Sequence, residues 1–166
     1  MRDFQVSRVY RWEDTLPLNL SGVSVTRRRC SLRRCKELIH AATKLYGIPD
    51  IEVSTPRNPR QTTAEYLEFY SGDHPGHGMI VLPKNFWRCD IALHEVSHYI
   101  VAAKFQKIED VSHGPVFVRV YMHLLKNILG ADIKVLEEWA RRYSVQYSTS
   151  RNLAPRNPQS SFSRDI

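Results

Sequence analysis

Two histidines four residues apart, with a glutamate beside the first, make His94-Glu95-Val96-Ser97-His98 the segment of this chain best suited to chemistry. On a helix that spacing turns both imidazoles to one face, where they can share a metal ion while Glu95 projects next to them. A set of three imidazoles prefers zinc, and a catalytic zinc takes three protein ligands and keeps a fourth position open for water. His113 is the third ligand the sequence offers. It opens His113-Gly114-Pro115, in which Pro115 suits the first turn of a helix and Gly114 permits a close backbone turn. The expected chemistry is hydrolysis: zinc lowers the pKa of its bound water toward about 7, and Glu95 is the general base that takes the proton.

These residues need rigid elements to hold them. Asp90 is expected to start a helix with an apolar stripe of Ile91, Leu93, Val96, Ile100 and Ala103, ending near Phe105. From Val116 to Leu129 the apolar residues recur at helical steps until Gly130, with Phe117 and Tyr121 one turn apart beneath the site. A last helix is expected from Asp132 to Tyr143. An N-terminal helix should run from Thr26 to Tyr46, capped by Ser24 or Thr26 and stopped by Gly47 and Pro49. Ile51 to Ser54, Thr63 to Tyr70 and Met79 to Leu82 read as three antiparallel strands, and Val6 to Trp12 as a short strand with Arg8, Tyr10 and Trp12 on one face. The fold expected is therefore α+β: one domain over residues 1–146 with a small, mostly antiparallel sheet, then a flexible basic tail over 147–166.

The pattern His-Glu-x-x-His, followed after fourteen intervening residues by His-Gly-Pro-x-Phe, resembles the SprT-like zinc metalloproteases over Gly78 to Asp132. That resemblance implies a zincin-like fold of the minigluzincin type, Zn2+ held by His94, His98 and His113, Glu95 as catalytic base, and peptide-bond hydrolysis. Ser7-Arg8-Val9-Tyr10 is similar to the opening of a group of uncharacterised metallohydrolases of actinobacteria and their phages. Members of the SprT-like family often add a cysteine zinc ribbon or DNA-binding segments after the protease core. No such ribbon is expected here, because Cys30, Cys35 and Cys89 lack the paired Cys-x-x-Cys spacing.

Those three cysteines read as small buried hydrophobes in a reducing cytoplasm. Met1 to Trp12 lacks the apolar region of a secretory signal, and the longest apolar runs fall far short of the roughly 20 residues that span a bilayer. The 166 residues carry a net charge of +7. Arg27, Arg28, Arg29, Arg33, Arg34 and Lys36 crowd one helix start and Arg151, Arg156 and Arg164 mark the tail, so nucleic acid is a possible partner beside a protein or peptide substrate. Tyr99, Tyr121, His123 or a strand backbone group can stabilise an oxyanion. His74 and His77 read as surface-loop residues with a second metal site as the alternative, and His40 as a surface or satisfied group. Two other functions fit the same residues: a zinc hydrolase of non-peptide amides or esters, and a basic nucleic-acid-binding protein with structural zinc.

Overall fold

Buried side chains at Gln5, Val9 and Trp12, spaced by four and three residues, give the start of the chain a helical rather than a strand-like period. The computed structural model describes residues 4–16, 29–56, 62–68, 78–105 and 112–155. Its first element is helix α1, Val6–Thr15, where a short strand is expected from the alternation of Arg8, Tyr10 and Trp12. The alternation is incidental: Val9 and Trp12 are both fully buried, and Leu16 packs on the core one turn further on.

Helix α2, Leu32–Tyr46, starts six residues later than Thr26. Ser31 is its cap, accepting a hydrogen bond from the Arg34 N–H at 3.1 Å. The chain before it is extended instead, because Arg29 pairs with Arg88 in an isolated bridge and the Cys30 N–H donates to the Trp87 carbonyl at 2.8 Å. Ser24 and Thr26, the caps expected from sequence, lie outside the described residues. Gly47, at φ 63°, closes the helix in the left-handed conformation that glycine adopts without strain.

Strands β1 (Glu52–Ser54), β2 (Glu65–Glu68) and β3 (Gly78–Val81) form one sheet in the order β1-β3-β2. β2 runs antiparallel to β3, but β1 runs parallel to it, so the sheet is mixed where three antiparallel strands are expected. Hydrophobic patterning gives strand positions but not the side of the sheet to which a segment returns. Gly78 has no room for a side chain, since a Cβ there would meet the Leu67 carbonyl and the Tyr66 ring.

Helix α3, Cys89–Ile100, continues as a π-helical turn over Val101–Phe105, ending where its apolar stripe ends. Helix α4, Pro115–Leu129, stops at Gly130 with φ 75°. Helix α5, Ile133–Arg142, is capped by Asp132, which accepts from the Lys134 N–H at 2.9 Å. Leu38, Ile39 and Ala42 of α2, Leu93, Val96 and Ile100 of α3, and Phe117, Val120 and Leu124 of α4 form the centre of the core. Packing continues past residue 146: the Ser148 N–H donates to the Pro115 carbonyl at 2.8 Å, and Leu153 is buried. Arg119, itself buried on α4, donates to the Ser148 carbonyl and to Glu137 at 2.7 Å.

Cys30 and Cys35 place their sulfurs 3.4 Å apart, and Cys89 hydrogen-bonds Cys30. All three are free thiols, with burial raising Cys30 and Cys89 to about 11. No helix among the described residues is long and apolar enough to cross a membrane.

Candidate metal centre

His94 and His98 lie one turn apart on α3, and His113 occupies the turn that enters α4. Gly114 is extended and Pro115 begins the helix, so the backbone folds back and brings His113 over α3. His94 Nε2 is 3.2 Å from His98 Nε2 and 3.3 Å from His113 Nε2. The three donor atoms all fall within 4.8 Å of one another, with His94 and His113 buried and His98 partly so. The residues that sequence spacing nominated as ligands are thus brought together, and they can hold a metal ion.

Aromatic rings enclose this cluster on two sides. Phe117, one turn into α4, stacks on His98 with ring centroids 4.4 Å apart and meets His94 and His113 edge-on at 5.0 Å. Tyr10 of α1 stacks on His94 at 5.8 Å and meets His113 edge-on at 5.2 Å. The ligand rings are also held through hydrogen bonds. His94 Nδ1 lies 2.6 Å from Glu13 Oε1, and His98 is hydrogen-bonded to the backbone of Ser112. The Gln5 amide donates to the His113 carbonyl at 2.6 Å, fixing the backbone of the third histidine.

Burial would lower the His94 pKa, but the charge and hydrogen bond of Glu13 outweigh it and raise the imidazole to about 9. His98 is pushed well down, first by burial and then by the neighbouring His94 and His113. Glu95 is buried beside His94 and accepts a hydrogen bond from the backbone of Tyr66 in β2; burial is the main cause that raises its carboxyl to about 6.

No protein-family model, curated protein or solved structure matches this chain. What the site can do follows from its own residues. A cavity of about 430 Å³ opens on His94 and Glu95, walled by Tyr10 and Glu13 of α1, Ala64 before β2, Ile91 of α3 and Tyr121 of α4. The carboxyls of Glu13 and Glu95 lie beside the three imidazoles, so acidic groups stand next to the donor atoms in this buried place.

Among the oxyanion candidates, Tyr121 lines the cavity and donates to the Asp90 carbonyl at 3.4 Å. Tyr99 instead donates to the Pro49 carbonyl at 3.0 Å, and His123 lies by Leu153 and the Tyr46 hydroxyl, so neither is brought to the site. His40 is an exposed partner of Asp50. His74 and His77 lie outside the described residues.

Glu13 and Tyr10 are the contributors that sequence reasoning missed. The segment that carries them reads as a strand by its alternation, and His94 is 81 positions from Glu13. The usable signal was the helical spacing of Gln5, Val9, Trp12 and Leu16, which turns Tyr10 and Glu13 away from that buried line.

Proposed function

We propose that this chain is a zinc-dependent metallohydrolase of the zincin-like, SprT-like type, with peptide bonds as its substrate. One observation carries the reading: three imidazole Nε2 atoms converge beside a buried glutamate that opens on a cavity. A tetrahedral zinc with bonds of about 2.0–2.1 Å has ligand edges of about 3.3–3.4 Å. The 3.2 and 3.3 Å separations of His94 from His98 and His113 match two of those edges, and the His98–His113 pair lies within 4.8 Å.

His94, His98 and His113 would hold the ion, which would supply a Lewis acid that makes a bound water more acidic. Glu95, buried beside the imidazoles and lining the cavity, is the carboxylate placed to take a proton from water and return it to the leaving amine. Tyr121 lines the same cavity, and its hydroxyl would have to turn from the Asp90 carbonyl to donate to a developing oxyanion. A peptide suits the site because β2 is an edge strand of the sheet and the segment leading into it walls the cavity, so an extended chain can pair with it. Of the basic residues that could meet nucleic acid, Arg33 and Arg34 both turn to Glu37, and Arg27, Arg28, Arg156 and Arg164 lie outside the described residues.

Elemental analysis of purified protein should find about one zinc per chain. Glu95→Gln should keep that zinc and lower cleavage of a peptide library by about 1,000-fold or more. Undiminished cleavage by the variant would remove Glu95 from the mechanism. Silence on peptides with turnover of small amides or esters would shift the substrate class and leave the metal centre standing.

A further inference from the structure

We infer that Glu13 is a positioning residue of the metal centre, delivered by α1 to fix the tautomer and orientation of His94. The inference rests on the metal reading above and goes beyond it, because neither the His-Glu-x-x-His motif nor the third histidine requires anything from the start of the chain.

The Glu13 carboxylate can only accept a hydrogen bond, so at 2.6 Å from His94 Nδ1 it fixes the proton on that nitrogen. Nε2, 3.2 Å from His98 Nε2 and 3.3 Å from His113 Nε2, is then the nitrogen that would give up its proton to a metal ion. The pair is well shielded from water, with side-chain exposures of 8% for His94 and 15% for Glu13. Water therefore competes little for the carboxylate, and its charge acts on the site with little screening.

Other contacts hold Glu13 in place. Val9 and Trp12 anchor α1 in the core, Gln5 joins its start to the His113 carbonyl and to Gln146, and Tyr10 covers the rings of His94 and His113. Ser112 serves His98 as Glu13 serves His94, but Ser112 uses backbone adjacent to a ligand whereas Glu13 comes from a separate helix. A histidine so oriented by a carboxylate binds metal about 10- to 100-fold more tightly than one without it.

The experiment is zinc affinity of the full-length chain, measured by competition with a chromophoric chelator, in wild type, Glu13→Ala, Glu13→Gln, Glu13→Asp and Val9→Ala, with thermal unfolding of each metal-free protein beside it. Glu13→Ala is expected to weaken zinc about 10- to 100-fold. Glu13→Gln, which still accepts the Nδ1 proton but carries no charge, should fall between Ala and wild type, and Glu13→Asp should recover part of the loss. Val9→Ala, which loosens the same helix without touching a ligand, should lower the melting temperature and leave zinc affinity within about threefold of wild type. Equal affinity in wild type and Glu13→Ala overturns the inference, as does a loss in Val9→Ala matching that in Glu13→Ala, which would make α1 a structural support only. A wild-type chain that binds no zinc at all overturns the metal reading itself, a distinct outcome.

Discussion

The two halves of the proposed metal centre are specified at different ranges. On α3, His94, Glu95 and His98 take their places because four residues make little more than one helical turn, and the turn at Gly114 and Pro115 adds His113. On α1, no local pattern sets Tyr10 and Glu13 apart from any other polar residues. They reach His94 and His113 only because Gln5, Val9 and Trp12 sink into the core and fix the rotation of the helix. The ligand set is thus a property of short sequence, whereas the shell that aims it is a property of packing. Damage to α1 should reach the site through the fold, and damage to the histidines should reach the fold through the metal.

The largest expected effect breaks the α1 half. Trp12 is fully buried against the ring of Tyr121, which itself lines the cavity beside His94 and Glu95, with centroids 5.9 Å apart. Trp12→Ala removes a large core side chain and should cost about 3–5 kcal/mol. In a domain of this size that lowers the melting temperature by roughly 10 °C, read by calorimetry or circular dichroism. A cost below about 1 kcal/mol would mean that α1 is not part of the cooperative unit, and the contrast between the halves would become one between a domain and an appendage.

Removing the ion tests the other half. With free zinc about 100-fold above its dissociation constant, binding to the folded state alone adds about 2.7 kcal/mol, so chelation should lower the melting temperature by roughly 5–10 °C. His113→Ala should show no such response to zinc, because it deletes a ligand while leaving Phe117 to pack against His98. If the variant and wild type respond alike, the ion stabilises the protein from somewhere other than the three histidines.

What was legible in the sequence follows the same division. Helices α3, α4 and α5 lie close to their expected bounds because each has a strong apolar period, joined by a stop at Gly130 for α4 and a cap at Asp132 for α5. The three site histidines meet as their spacing implied. The parallel pairing of β1 with β3 was not legible, since strand direction depends on the path of the chain between strands and not on the residues within them. The start of α2 was misplaced because Ser31 and Ser24 are equally good caps by type, and the bridge from Arg29 to Arg88 that decides between them joins residues 59 positions apart. Tyr10 and Glu13 were hidden for a related reason: seven residues of alternating polarity satisfy a strand as readily as a helix until the buried line from Gln5 through Val9 and Trp12 is extended to Leu16.

The smallest expected effect sharpens the comparison at the point where the halves join. Gln5 is a fully buried polar residue ahead of α1, and its side chain donates to the His113 carbonyl and accepts from the Gln146 N–H at 2.8 Å. Gln5→Ala leaves these backbone groups without that partner, at a cost of about 1–3 kcal/mol measured by denaturant unfolding. Because the contact is to the backbone of the third ligand and not to its ring, zinc affinity should fall less than in Glu13→Ala. If instead Gln5→Ala weakens zinc more than Glu13→Ala does, placement of the His113 backbone limits metal binding more than orientation of the His94 ring, and the chief contribution of α1 to the site is the Gln5 contact.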